Sequence, residues 1–355
     1  MKSTRSAACR IDLSGGTTDL WPLFLMLDGS KVCNFAINKY AHCQFEAKKS
    51  KDFKLQIKSK NFKSSKTFKS KKELESYLKL PTTKAPLRLV ARVADHFLND
   101  QHNLYPTGNF TLTTMSEIPK GSGLGGSSTL MVAIAMAMMD CLFNKKNYLS
   151  KQTLHKVLNS LETQELEKPG GLQDYLPAIY GGALEISLKL NEINIKKIEL
   201  KKINPAIEKM ALIYTGVPHH SGINNWDVYK KFISGNKKVV NSLNEIKHIS
   251  NELLASINSK KINQLPKLLT REWSNRKKLS SKFNCRDYTS AIKWASAYGA
   301  VAFKGCGAGG GGCLLVYFKT KDQKKEFVKQ EKYKEMQIID FKIEKKGCFA
   351  SQVQL

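Results

Sequence analysis

Residues 118–139, IPKGSGLGGSSTLMVAIAMAMM, set four glycines within six positions directly ahead of a long apolar run. That density exceeds turn punctuation: the backbone must approach something closely or adopt dihedrals that a Cβ forbids. The preceding segment, NFTLTTMSEI (109–118), places Phe110, Leu112 and Thr114 in alternation with Thr111 and Thr113, the period of a strand. The following run reads as a helix from about Ser127 to Phe143. Strand, glycine loop and helix in this order present a helix N-terminus, with free N–H groups and a partial positive charge, to an anion. Gly121, Gly123, Gly125 and Gly126 would admit phosphate oxygens to the backbone. Ser127 and Ser128 would cap the helix, ligate Mg²⁺ or touch phosphate.

Three nucleotide loops compete for this stretch. A P-loop requires Gly-Lys-Ser/Thr, which the sequence lacks. The dinucleotide pattern G-x-G-x-x-G fits Gly121, Gly123 and Gly126, but also Gly305, Gly307 and Gly310, which precede the apolar strand CLLVYF rather than a helix. The first match lacks an acidic residue closing a second strand, since Asp140 falls inside the helix. The third candidate is the loop of a different kinase superfamily.

The remainder of the chain fits a mixed α+β protein. Residues 5–13, 31–47, 181–190 and 210–216 read as strands, residues 86–99 and 151–165 as helices, and most of 222–298 as helical. The C-terminal part reads strand, glycine-rich loop, strand, helix, strand. A length of 355 residues accommodates two domains, with a boundary near 195–205 where the chain turns polar. No apolar run is long enough for a membrane span, and MKSTRSAACRIDL lacks the apolar core of a signal peptide. Eight scattered cysteines without metal spacing fit a reducing cytoplasm. The net charge of +28 raises nucleic acid as a partner, yet lysines are spread along the chain and only seven of the 58 basic residues are arginine. The densest run, 48–72, alternates Phe53, Leu55 and Ile57 with polar residues, as a half-buried strand with a solvated lysine face does.

PKGSGLGGSS (119–128) resembles the ATP-phosphate loop of the GHMP small-molecule kinases. RIDLSGGTTDL (10–20), KPGGLQDYLPAIYGG (168–182) and KGCGAGGGGCLLVY (304–317) resemble, in the family's order, its substrate motif, its catalytic-aspartate segment and its C-terminal glycine-rich motif. The Gly-Gly-x-Thr-Asp spelling is similar to that of the sugar kinases acting on heptose 7-phosphate, with fucokinase-like domains close behind. The resemblance implies a ribosomal-S5-like N-terminal domain (1–200), a ferredoxin-like C-terminal domain (201–355), and an active site in the cleft between them.

It also implies roles. Asp174 would be the catalytic base and Arg10 its partner and a contact for the transferred phosphoryl group. Lys120, Gly121, Ser122, Gly123, Leu124, Gly125, Gly126, Ser127 and Ser128 would bind ATP. Glu162, with Ser127, would hold Mg²⁺, Glu165 and Glu167 being nearby alternatives. Gly15, Gly16, Thr18, Asp19, His220, Gly309 and Gly310 would bind a sugar or sugar phosphate. His219 and His220 stand where the subgroup tends to carry an arginine. The expected activity is transfer of the γ-phosphoryl group of ATP to a sugar hydroxyl, the anomeric one of a heptose 7-phosphate or related sugar. The competing expectation is a catalytically silent binder of sugar or nucleic acid on the same fold.

Overall fold

The computed structural model describes residues 1–189, 192–218, 221–283, 285–307, 309–330 and 332–355. His219 and His220 lie outside the described residues. The first half builds strands β1 (Lys2–Ser14), β2 (Lys31–Lys48), β3 (Lys54–Ser59), β4 (Ser64–Phe68), β5 (Asn109–Ser116), β6 (Ala183–Leu188) and β7 (Ile193–Ile198). Between them lie helices α1 (Lys71–Leu78), α2 (Arg88–Leu98), α3 (Gly126–Leu142), α4 (Lys151–Leu166) and α5 (Tyr175–Tyr180). The second half contributes α6 (Leu200–Ile207), β8 (Met210–Tyr214), α7 (Ser221–Ile233), α8 (Lys237–Asn258), α9 (Leu265–Leu279) and α10 (Arg286–Ser296). It ends with β9 (Ala300–Gly305), β10 (Cys313–Phe318), α11 (Lys321–Val328), β11 (Lys332–Tyr333), β12 (Met336–Ile339) and β13 (Phe349–Ala350).

Among the described residues the strands form an eight-stranded and a five-stranded sheet. The first runs β13-β1-β2-β5-β3-β4, with β6 on β2 and β7 on β6; the second runs β11-β12-β8-β10-β9. β2 is long enough to pair with β5 through residues 41–48 and with β6 through 31–35, so one strand carries two branches of the sheet. β3 and β5 run parallel, and every other pairing is antiparallel. The C-terminal β13 returns to the edge of β1 in the first sheet.

The helix after the glycine loop is apolar nearly all round, and Met131–Ala135 and Ala137–Met139 are fully buried. Such a helix belongs inside a core, and α3 sits against β1, β2 and α2 in the largest apolar cluster. The alternation of β1 sends Cys9, Ile11 and Leu13 to one face, where they meet Ile249 and Leu253 of α8 and Leu268 and Leu269 of α9. Leu212 and Leu315 of the second sheet close the same cluster. The opposite face of β1 carries Arg10 and Asp12. The strand that supports the site therefore packs on one side and presents charge on the other.

Two expectations need correction. The lysine-rich stretch 48–72 is a hairpin rather than a lone strand: Leu55 and Ile57 of β3 are buried, Lys54 and Lys58 are exposed, and β4 pairs alongside. The stretch 195–205 has core after all, because Ile198 and Ile203 are buried and β7 and α6 occupy it. The lysines around each apolar residue lowered its mean hydropathy enough to disguise both.

Candidate active site

β1, the glycine loop and the start of α5 converge on Arg10. Its Nε and Nη2 donate to Asp174 Oδ1 at 2.9 and 2.7 Å, and its Nη1 donates to the Gly123 carbonyl at 2.5 Å. The Arg10 backbone N–H donates to Leu124 O at 3.0 Å, so strand and loop are joined twice. Arg10 is 3% exposed. Burial opposes its charge, but Asp174 and Asp12 outweigh that cost and raise its pKa above the usual arginine value. Asp174 occupies the N-cap position of α5 without using its side chain as a cap, so the structural role open to it goes unused. Among the described residues nothing bonds to Asp174 Oδ2, and the side chain is 26% accessible.

Gly125, in the left-handed region at φ 73°, takes the N-cap position of α3, and no side chain caps the helix. Ser127 is therefore not the cap; it is exposed on the first turn. Ser128 is buried and donates to Glu162 Oε2 at 2.9 Å, and the Tyr175 hydroxyl donates to the same oxygen. Burial raises the Glu162 pKa and the charge of Asp174 adds to it, while bonds from Tyr175, Ser128 and Ser127 act against the rise. Of the three candidate glutamates, Glu165 is committed to Arg88 and Arg92, and Glu167 ends α4 in a left-handed conformation. Glu162 alone faces the loop serines and Asp174. Asp19 and Glu162 both feel the charge of Asp174, but among the described residues no three His, Cys, Asp or Glu side chains come together closely enough to form a metal cluster.

The close approach that the glycines allow is partly protein against protein. A Cβ on Gly123 would stand 2.6 Å from Cys306 O, and one on Gly312 would stand 2.7 Å from both Gly121 O and Ser122 O. Cys313 N donates to Ser122 O at 2.8 Å. The two glycine-rich segments thus lie back to back. Gly309 and Gly310 pack against Phe283, with Gly310 N donating to Phe283 O at 3.4 Å. Lys120 is exposed, its ammonium 5.0 Å from the centre of the Phe62 ring. Beside the loop's start, a cleft of about 390 Å³ is lined by Asn61, Ser116 and Pro119 at the ends of β3 and β5 and by Gln337 and Asp340 at β12.

The turn 15–19 is closed by Thr18, whose N–H and hydroxyl both donate to Gly15 O, at 3.2 and 2.6 Å. Asp19 follows, 1% exposed. It accepts from Gln173 N at 3.0 Å and from Gln173 Nε2 at 3.3 Å. Burial, helped by the charge of Asp174, pushes its pKa up to about 6. Gly171 is glycine because a Cβ there would stand 2.6 Å from Asp19 Oδ2.

Sequence reasoning missed a second charged group under this turn. Asp12 accepts from Arg276 Nη2 at 3.2 Å and pairs with Lys304 Nζ at 2.9 Å; Glu272 pairs with Arg276 and lies 3.9 Å from Lys304. All four side chains are at most 1% exposed. Burial opposes charge on Asp12, but Lys304, Arg276 and Arg10 outweigh it and hold its carboxyl well below the usual range. Asp12 was findable, two residues from Arg10 on one strand face, as were Glu272 and Arg276, four apart on one helix. Nothing in the sequence joins these segments. Gln173 and Tyr175 flank Asp174 and were findable by adjacency.

The chain is 26% identical over 351 residues, 98% of each protein, to the D-glycero-alpha-D-manno-heptose 7-phosphate kinase of Campylobacter jejuni. It is 29% identical over 337 residues to the L-fucokinase/L-fucose-1-P guanylyltransferase of Bacteroides fragilis, covering 88% of this chain and 34% of that longer one. The crystal structure of a D-glycero-D-manno-heptose 1-phosphate kinase from Bacteroides thetaiotaomicron shares the fold over the full length of both chains, with a TM-score of 0.74 at 20% identity. Residues 88–182 match the GHMP kinases N terminal domain and residues 253–334 the GHMP kinases C terminal domain. Both domains in the family's order, on the family's fold, make this protein a member of the GHMP kinases.

Proposed function

We propose that the protein transfers the γ-phosphoryl group of ATP to a sugar hydroxyl, and that the acceptor is a heptose 7-phosphate or related sugar phosphorylated at its anomeric hydroxyl. The observation that carries the reading is the Arg10–Asp174 pair: a half-buried carboxylate with one oxygen fixed by a guanidinium that also grips the glycine loop. Phosphoryl transfer asks chiefly for positioning and charge neutralisation. Asp174 Oδ2 takes the acceptor's hydroxyl proton, and Arg10 holds Asp174 aimed by bonding its other oxygen. Arg10 also presents positive charge toward the phosphates at the loop, where the N–H groups of the first turn of α3 lack helical partners. Glu162 and Ser127 would hold Mg²⁺, which supplies neutralisation of the phosphate charge. The position of Glu162 beside the loop, where Ser128 donates to it, supports that assignment.

Asp19, beside Gln173 and so beside Asp174, serves the acceptor hydroxyls in this reading, with Gly15, Gly16 and Thr18 shaping the turn. The sugar assignment is supported by the similarity to the Campylobacter heptose 7-phosphate kinase and the Bacteroides L-fucokinase. The division at about residue 200 is part of the same proposal, supported by a second sheet built wholly after it and a first sheet built before it apart from the returning β13. So is a cytoplasmic location: all eight cysteines are free, and among the described residues no helix is long and apolar enough to cross a membrane.

The test is ADP release with MgATP against a panel of heptose 7-phosphate, fucose, glucuronate, mannose and mevalonate, with Asp174→Asn in parallel. Turnover of a sugar that collapses in the variant is the expected result. MgATP binding without turnover of any sugar would overturn the assignment.

A further inference from the structure

We infer that Arg276 is a positioning residue that holds the acceptor turn and the C-terminal glycine-rich loop as one unit; the inference rests on the reading of 15–19 as the acceptor turn. Its Nη2 donates to Gly16 O at 3.2 Å and to Asp12 Oδ2 at 3.2 Å, and its Nη1 donates to Gly307 O at 3.1 Å. Nε donates to Glu272 Oε1 at 3.1 Å, one turn back on α9. Two segments far apart in sequence, 12–16 and Gly307, therefore hang on one planar group of α9 that is 1% exposed.

A buried ion network is a poor way merely to stabilise a joint, because apolar side chains of equal volume do as well or better. What the network provides here is direction. A guanidinium offers donors in a rigid fork and can bond two carbonyls and two carboxylates at once; a lysine presents one nitrogen. Lys304, its neighbour, completes the charge balance against Asp12 and Glu272 and bonds the Asp12 carbonyl at 3.0 Å, fixing the end of β1. The carbonyls that Arg276 takes lie in glycine-rich segments with left-handed backbone: Gly15 and Gly307 have φ of 84° and 63°, and Thr17 has φ of 75°.

Contacts lead from this fork to the reacting centre. A Cβ on Gly16 would stand 2.8 Å from Arg276 Nη2, 2.4 Å from Asp12 Oδ2 and 2.8 Å from Gln173 Nε2. Gln173 bonds Asp19 and precedes Asp174. A shift of the Gly16 carbonyl therefore reaches Asp19 and Gln173 through packed atoms. The hydrogen bonds that hold the ATP loop come from Arg10 and Cys313, and its link to the segment Arg276 holds is the packing of Gly123 on Cys306, so the loop keeps its bonds when Arg276 is changed. Acceptor recognition and the order around Gly307 are coupled through Arg276, and ATP recognition is not.

The experiment compares wild type, Arg276→Lys, Glu272→Gln and Asp19→Asn, with heptose 7-phosphate as acceptor and amide hydrogen exchange as a second readout. Arg276→Lys keeps the charge and is expected to raise the acceptor KM roughly tenfold or more, with the ATP KM within about twofold. Exchange should quicken around Gly16 and Gly307 together and remain unchanged in 119–128. Glu272→Gln leaves the carbonyl bonds in place and should lower the thermal midpoint without loosening either segment. A purely structural role predicts a lower midpoint with both KM values unmoved, and that result overturns the inference. Loosening of both segments in Glu272→Gln equal to that in Arg276→Lys overturns it too. If Asp19→Asn leaves the acceptor KM unchanged, the acceptor-turn reading fails instead, and the exchange data still decide whether Arg276 couples the two segments. Should Arg276→Lys not fold, wild type suffices: saturating acceptor must slow exchange at both segments, and protection confined to the turn contradicts the coupling.

Discussion

Replacing Asp19 by asparagine should make the protein more stable and a poorer enzyme at the same time, with a pH dependence that identifies the cause. Burial and the charge of Asp174 push the Asp19 carboxyl up to about 6, against 3.8 for a free aspartate. The native state binds this proton more tightly than the unfolded chain does. Stability is therefore highest below about pH 4 and falls as pH rises to about 6, beyond which the loss is constant. A difference of about two pH decades, at 1.36 kcal/mol each, makes the full cost ~3 kcal/mol at pH 8. Asparagine escapes that cost but gives up the bond from Gln173 Nε2, worth about 1 kcal/mol. The expected gain is ~2 kcal/mol at pH 8, about 3 °C in midpoint for a chain of this length. The gain shrinks to nearly zero at pH 4.5, where the native carboxyl is already protonated. Denaturant titrations of both proteins at pH 4.5, 6 and 8 give the comparison directly. A stability difference that does not change across that range would refute the argument that Asp19 is held at a cost, whatever happens to activity.

Three further outcomes follow from the same geometry. Arg10→Lys cannot serve Asp174 and the Gly123 carbonyl from one nitrogen, and steady-state kinetics should show kcat lower by about 10²-fold with ATP still bound. Glu162→Gln should raise the Mg²⁺ concentration for half-maximal rate about 10-fold or more, read from a metal titration at fixed ATP. Arg88→Met breaks a buried pair with Glu165 that makes no bond to Arg10, Glu162 or Asp174; it should cost about 3 kcal/mol in denaturant unfolding and leave both KM values unchanged.

Much of the site was legible because its chemistry is local in sequence. The glycine loop sits between a strand and an apolar helix, and that order alone locates a helix N-terminus behind the loop, which the structure begins at Gly126. Asp174 and Arg10 could be named from their motifs, and the fold brings them to 2.7 Å although 164 residues separate them. The network at Asp12, Glu272, Arg276 and Lys304 was not legible, because its members come from β1, α9 and β9 and each looks ordinary in its own segment. The roles of Gly123 and Gly312 were half legible. Their lack of Cβ was clear, but the atoms filling that space belong to the other loop, and only folding puts them there. The β3–β4 hairpin and the β7–α6 segment were obscured by lysines flanking each buried residue, a surface property with little bearing on which face packs.

The account turns on Asp174 as the group that receives the acceptor's proton. The direct measurement is the single-turnover rate of phosphoryl transfer from MgATP to the sugar, in wild type and Asp174→Asn, with MgATP affinity determined on the same preparations. A loss of at least ~10³-fold in rate with MgATP affinity unchanged is the predicted result. A rate within about tenfold of wild type would contradict the assignment, and with it the reading of the Arg10–Asp174 pair as the centre of the site.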